Sequence, residues 1–141
     1  MRPVVPTVGV MAPAIVLYDS DCGFCRWSLA KLLRWDRRGA LRPVALQDPK
    51  AAPLLPGMSE EERLASWHLV DSRGVVHSAG AALPELLRLL PGGTPLAVLA
   101  TRAPHLRDRA YRWVAEHRSW FGRLLSERAK KRADLRIAAR A

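Results

Sequence analysis

Ala14-Ile15-Val16-Leu17-Tyr18-Asp19-Ser20-Asp21-Cys22-Gly23-Phe24-Cys25 leads from an apolar run directly into the only two cysteines of a 141-residue chain. The first five residues are short, apolar and partly β-branched, which predicts a buried strand. From Arg26 to Trp35 the pattern turns helical, with Trp27, Leu29, Ala30 and Leu33 apolar and Arg26, Lys31 and Arg34 basic. The order is therefore strand, tight turn, cysteine pair, helix. With Cys22 at the cap or first turn of that helix, free backbone N–H groups and the positive end of the helix dipole stabilise its thiolate. Cys-X-X-Cys sites at helix starts lower the thiol pKa from about 8.5 toward roughly 3.5 to 7.5. Cys25, one turn further in and on the same side, is placed to attack a mixed disulfide formed at Cys22.

Three other readings compete for the pair. A structural disulfide closing so short a loop removes little chain entropy and stabilises weakly. A zinc or iron site needs about four ligands, and neither a second Cys-X-X-Cys nor a His pair follows, so no metal is expected. His68, His77, His105 and His117 are scattered and read as ordinary surface or half-buried histidines. Chance spacing is the third, and the strand-to-helix setting argues against it. Around a redox dithiol, Tyr18, Asp19, Asp21, Gly23, Phe24 and Trp27 form the expected supporting set. Gly23 permits a close approach or an unusual dihedral, and Phe24 shields the pair from water. Asp19 and Asp21 oppose a thiolate at Cys22 or relay a proton to Cys25, and Asp21 also reads as a helix cap. Trp27 lies two residues beyond Cys25, on the first exposed turn. Core packing is the reading for most of the other tryptophans, with Trp113 and Trp120 on one helix face.

Tyr18 to Cys25 resembles the opening signature of the DCC family of thiol-disulfide oxidoreductases, Tyr-Asp-Gly-x-Cys-x-x-Cys. Trp67-His68-Leu69-Val70-Asp71, Gly74 and Gly80-Ala81-Ala82 are similar to that family's central hairpin and the helix start after it. Tyr111 to Arg118 is similar to its Tyr-Arg-x-x-Ala-x-x-Arg segment. The resemblance spans about residues 14 to 120. It implies a thioredoxin-like α/β fold, with about four strands in a mixed sheet flanked by helices, and disulfide reductase activity. Two departures stand out. Ser20 replaces the usual glycine of the signature. Thioredoxins proper also set a cis-proline before the third strand, facing the dithiol, whereas Ala65-Ser66 precede Trp67 here. Ser66 and Trp67 are thus the candidate substrate groove, built differently from that of thioredoxin.

The rest of the chain keeps an α/β rhythm. Leu41–Leu46 predicts a second strand, on an edge because of Pro43. Residues 47–57 read as a loop with at most a helical turn, and Ser59 caps an acidic helix start at Glu60-Glu61-Glu62. Trp67–Val70 and Gly74–His77 predict a hairpin. Leu83, Leu86, Leu87 and Leu90 predict a helix ending at Pro91-Gly92-Gly93, Pro95–Ala100 another, and the chain after Pro104 one long helical region.

A chain of this length is one domain able to bury a core without metals or multiple disulfides. Three segments are expected: a flexible extension at 1–13, with Met11 as an alternative start, a thioredoxin-like domain at 14–120, and a basic helical tail at 121–141. Residues 102–141 hold 12 Lys and Arg against 4 Asp and Glu, out of a net charge of +10. Such charge speaks to partners, not to fold. A solvated, partly frayed tail is the leading account, a membrane-surface helix the next. Nucleic acid ranks last, because no recognised binding module accompanies the charge. No long apolar run suggests a spanning helix, and a lone cysteine pair fits a reducing cytoplasmic setting, with peripheral membrane contact as an option.

The expected function is a cofactor-free thiol-disulfide oxidoreductase of the protein-disulfide reductase type. Cys22 attacks, Cys25 resolves, and an external thiol supplies electrons; substrates are disulfide-containing proteins or small thiols. The rival is a non-catalytic module that docks on a membrane or a partner protein through its basic C-terminal helix.

Overall fold

A computed structural model describes residues 13–140, so the extension expected at 1–13 lies outside the described residues except for Pro13. In chain order come β1 (Ala14–Tyr18), α1 (Gly23–Trp35), β2 (Leu41–Ala45), α2 (Ala51–Leu54), α3 (Glu60–Leu64), β3 (His68–Val70) and β4 (Val76–Ser78). A 3-10 turn at Ala79–Ala82 leads into α4 (Leu83–Leu89), α5 (Thr94–Arg102), α6 (Pro104–Leu124) and α7 (Glu127–Arg140). The strands make one mixed sheet in the order β2-β1-β3-β4, with β1 parallel to β2 and antiparallel to β3. β2, with Pro43 opposite Val16, is an edge strand as expected. This is the α/β, thioredoxin-like plan read from the sequence.

Alternation along β1 divides the core between the two faces of the sheet. Ala14 and Val16 join Leu41 and Leu69 against Leu29 and Leu33 of α1, Leu86 of α4 and Ile137 of α7. Leu17 and Val70 turn to the other face, where Leu46, Ala51 and Leu55 cover them. Ser59 caps α3 with a reciprocal box: its hydroxyl accepts from the Glu62 N–H while the Glu62 carboxylate accepts from the Ser59 N–H. Asp71 organises the hairpin turn by accepting from the N–H groups of Arg73 and Val75. The His77 ring beside it, with these donors, holds the Asp71 carboxyl well below the usual carboxylate range.

His68 departs from the expectation of a surface or half-buried histidine, being only 2% exposed. Its Nε2 lies 2.9 Å from the Arg63 carbonyl oxygen, which can only accept, so Nε2 carries the proton and Nδ1 accepts from the Ser78 hydroxyl at 2.6 Å. β3 is covered on both faces, which is why a polar side chain there is enclosed.

Gly80 brings α6 close to the 3-10 turn. A Cβ there would stand 2.6 Å from Asp108 Oδ1, so a larger residue would displace that carboxylate. The preceding Ala79 takes a left-handed φ of 53°, an uncommon conformation for a residue with a Cβ.

The long C-terminal helical region is two helices, broken at Leu125-Ser126, where the Ser126 hydroxyl accepts from the Ala129 N–H and starts α7. Residues 121–124 belong to α6, and α7 is no frayed appendage: it packs along α1 and buries Ala133 and Ile137. Arg26 near the start of α1 pairs with Asp134 through both carboxylate oxygens, at 2.9 and 2.8 Å. At the far end the fully buried Asp36 accepts from Arg140 Nη1 at 2.8 Å and from the N–H groups of Ala40 and Leu41. Arg140 Nη2 also donates to the carbonyls of Leu33 and Asp36. Trp113 and Trp120, whose shared helix face suits core or interface residues, are 53% and 49% exposed and so lie outside the core. α6 has no fully buried residue, so its apolar stripe is only partly covered.

Arg140→Ala leaves the buried Asp36 carboxylate without its cation and is expected to cost about 3 kcal/mol. In urea unfolding, the Asp36→Ala/Arg140→Ala double variant is expected to lose less than the sum of the single losses. Burial holds the His68 pKa below its ordinary 6.5. Below that pH the unfolded chain binds a proton that the folded chain rejects, so stability present above pH 6.5 is lost as pH falls toward the folded pKa. The acid-side decline in urea midpoint is expected to be shallower in His68→Gln, which retains a donor for the Arg63 carbonyl.

Candidate active site

The parallel pairing of β1 with β2 sets Tyr18 opposite Ala45 and brings the turn after β1 beside the residues that follow β2. Gln47 exploits this. Its Oε1 accepts from the Ser20 N–H at 3.0 Å and hydroxyl at 2.8 Å, while its Nε2 donates to Asp19 Oδ1 at 2.7 Å. Asp19 Oδ1 also accepts from the Asp21 N–H at 2.9 Å, closing a local Asx turn. Ser20 meets the turn without a left-handed φ, so the glycine of the signature is replaced by a residue whose hydroxyl is used.

This turn delivers Cys22 as the N-cap of α1. Its backbone is extended, with φ −96° and ψ 110°, and its Sγ accepts from the Cys25 N–H at 3.2 Å. The sulfur takes the place that a serine or aspartate oxygen usually holds at a helix start. Asp21 is therefore not the cap; its N–H is bonded within the turn and its carboxylate accepts from Gln47 Nε2 at 3.4 Å. Cys25 lies one turn in, with its Cα 5.2 Å from that of Cys22 and the two sulfurs at disulfide distance.

Cys22 opens onto a cleft of about 370 Å³ between the β1–α1 turn and helices α6 and α7. Asp19 and Asp21 line one wall, and Arg118, Arg123 and Lys130 line the other. Cys25 does not line it. Gly23 serves here as a close-approach glycine, since a Cβ on it would stand 3.0 Å from Lys130 Cε. The lysine stem thereby passes over the start of α1, beside the sulfur's own helix turn. Lys130 Nζ also reaches Glu127 at 3.4 Å, but Glu127 is 90% exposed and screened by water.

Phe24 stacks on Phe121 at 5.1 Å between ring centroids and on Trp27 at 6.1 Å. Phe121 in turn meets Trp113 and Trp120 edge-on. This aromatic cluster covers the first turn of α1. Trp27 touches the site only through Phe24; its ring carries the Lys31 ammonium at 5.4 Å and borders a separate groove between α1 and α7. Tyr18 packs against the core, and burial, with Asp134 nearby, pushes its hydroxyl pKa up. Ser66 and Trp67 do not line the Cys22 cleft. Trp67 packs on the core, and the half-buried Tyr111 of α6 sets its hydroxyl against the Trp67 backbone and the Ser66 side chain.

The sequence pattern does not mark out Arg118, Arg123 and Lys130 as lining the cleft, or Gln47 as holding the turn beside it. Arg118 had a signal, as the last position of the Tyr-Arg-x-x-Ala-x-x-Arg segment; Lys130 had none beyond its basic cluster. Among the described residues no group of three or more His, Cys, Asp or Glu side chains is arranged to hold a metal ion.

Residues 16–123 match the family model described as DCC1-like thiol-disulfide oxidoreductase. No curated protein and no solved structure matches the chain. The match covers well over half of the sequence and includes the cysteine pair, the hairpin and most of α6. The chain therefore belongs to the DCC1-like thiol-disulfide oxidoreductase family and is an oxidoreductase that acts on thiols or disulfides.

Proposed function

We propose that the protein is a disulfide reductase in which Cys22 attacks and Cys25 resolves. The observation that carries this reading is the asymmetry of the pair: Cys22 lines the open cleft and caps α1, while Cys25 sits one turn inward and outside the cleft. In the reduced protein the Cys22 sulfur receives the Cys25 N–H and faces the positive end of α1, both of which favour its thiolate. Lys130, Arg118 and Arg123 add positive charge on the same cleft. Asp19 opposes them less than its formal charge suggests, because Gln47 and the Asp21 N–H already bond its carboxylate.

The Cys22 thiolate attacks one sulfur of the substrate disulfide, forming a mixed disulfide and expelling the other sulfur as a thiolate. Cys25, deprotonated, then attacks the Cys22 sulfur, expels the second substrate thiolate and leaves the Cys22–Cys25 disulfide. Two electrons pass from the dithiol to the substrate. An external thiol reductant of the cytoplasm restores the dithiol, and no metal or organic cofactor takes part. Asp19 and Asp21, which line the cleft, exchange protons with water there in this scheme.

The rival module reading, docking through α7, has less support. Ala133 and Ile137 of that helix face the core, so membrane contact through it rests on the exposed cations Arg128, Lys131, Arg132 and Arg136 and on a single exposed apolar side chain, Leu135. No helix among the described residues is long and apolar enough to cross a membrane.

Cys22→Ser is expected to abolish reduction of insulin disulfides by the thiol-driven enzyme. Cys25→Ser is expected to accumulate a mixed disulfide on Cys22, visible as an adduct by mass spectrometry of the intact protein. Unchanged activity in Cys22→Ser, or trapping on Cys25 in place of Cys22, contradicts the assignment.

A further inference from the structure

We infer that the Cys22 cleft selects a low-molecular-weight disulfide bearing carboxylates next to its sulfurs. The inference rests on the reductase reading and adds the substrate class. Arg118 and Arg123 line the cleft with Cys22, yet neither has a carboxylate partner among the described residues. Lys130 joins them, with only the exposed Glu127 beside it. Two unpaired guanidinium groups and an ammonium on one wall form a receptor for carboxylate oxygens, which arginine binds through paired N–H donors.

The opposite wall fixes the orientation. Asp19 and Asp21 repel carboxylates from the β1–α1 turn, and Gln47 holds that turn in place. A ligand whose carboxylates meet Arg118 and Arg123 therefore brings its sulfurs toward Cys22, between the walls.

Size favours a small molecule over a protein. The cleft is about 370 Å³, near the lower end of small-ligand sites, which run from about 300 Å³ upward. Ser66-Trp67, where a peptide backbone was expected to dock, faces the hydroxyl of Tyr111, and no cis peptide bond is found among the described residues. The half-reaction balances as one dithiol plus one disulfide giving the Cys22–Cys25 disulfide plus two carboxylate thiols. An external dithiol returns the two electrons.

The test compares 3,3′-dithiodipropionate, bis(2-hydroxyethyl) disulfide, cystamine and insulin as substrates of the full chain, with dithiothreitol as reductant. The inference predicts a kcat/KM for the dicarboxylate about tenfold or more above that for the neutral disulfide, a still lower value for cationic cystamine, and insulin below the dicarboxylate. Added salt shrinks the advantage. The Arg118→Gln/Arg123→Gln double variant brings the dicarboxylate-to-neutral ratio toward one. Binding is read separately by titrating dithiodipropionate into Cys22→Ser/Cys25→Ser protein and following amide chemical shifts. Saturable shifts at the cleft, weakened by the double arginine variant, are expected. Equal rates for the charged and neutral disulfides, or insulin reduced faster than the dicarboxylate, overturn the inference while leaving the reductase reading intact. A protein that reduces nothing overturns the reductase reading, and the binding arm then still decides whether the cleft takes carboxylates: absence of saturable shifts rejects it.

Discussion

Helix α1 is clamped along its length by α7, and the geometry of the dithiol depends on that apposition. Arg26 and Asp134 fasten the end near the cysteines, and the buried Asp36 and Arg140 fasten the other. Between them Ala133 and Ile137 enter the core. With α1 held on the sheet by Leu29 and Leu33, its first turn has little freedom. The same apposition lays the Lys130 stem across Gly23, so the last helix of the chain supplies a cation at the start of α1. A buried ion pair is weak evidence of net stabilisation; its contribution here is register, because Arg140 reaches the Asp36 carboxylate and the carbonyls of Leu33, Asp36 and Leu41 together only when α7 is seated.

The electrostatics of the cleft follow from where the two kinds of charge are engaged. Asp19 is bonded by Gln47 and by the Asp21 N–H, within its own turn. Arg118 and Arg123 have no such partners among the described residues. The positive side is therefore the one left to act on a sulfur or a ligand. The conflict that the sequence poses, between a helix start that favours a thiolate and two aspartates that oppose it, is tilted by residues far along the chain.

Local patterns were the legible part of this fold. The β1 run, the cysteine turn, the Ser59 box and the Asp71 hairpin are all decided within a few residues; each is found, though β4 starts at Val76 in place of Gly74 and Cys22 takes the cap expected of Asp21. Tertiary packing hid the rest. The apolar spacing of Trp113 and Trp120 identifies a helix face but not what covers it, and α6 leaves both half exposed. Ala133 and Ile137 sit among arginines and lysines, so composition suggested a solvated tail although two small apolar contacts and two ion pairs suffice to seat it. Ser126-Glu127 did carry a cap signal for α7, obscured by the continuous helical composition around it. Gln47 was legible only after the parallel register of β1 and β2 was known.

The most direct test of the account is the pH dependence of alkylation of the reduced protein by iodoacetamide, with each modified cysteine identified by peptide mass, in the wild type and in Lys130→Met. The account predicts that Cys22 reacts first, with a midpoint below the ordinary thiol value of about 8.5, and that the midpoint rises when the lysine charge is removed. A Cys22 midpoint at or above that value, or preferential alkylation of Cys25, contradicts it.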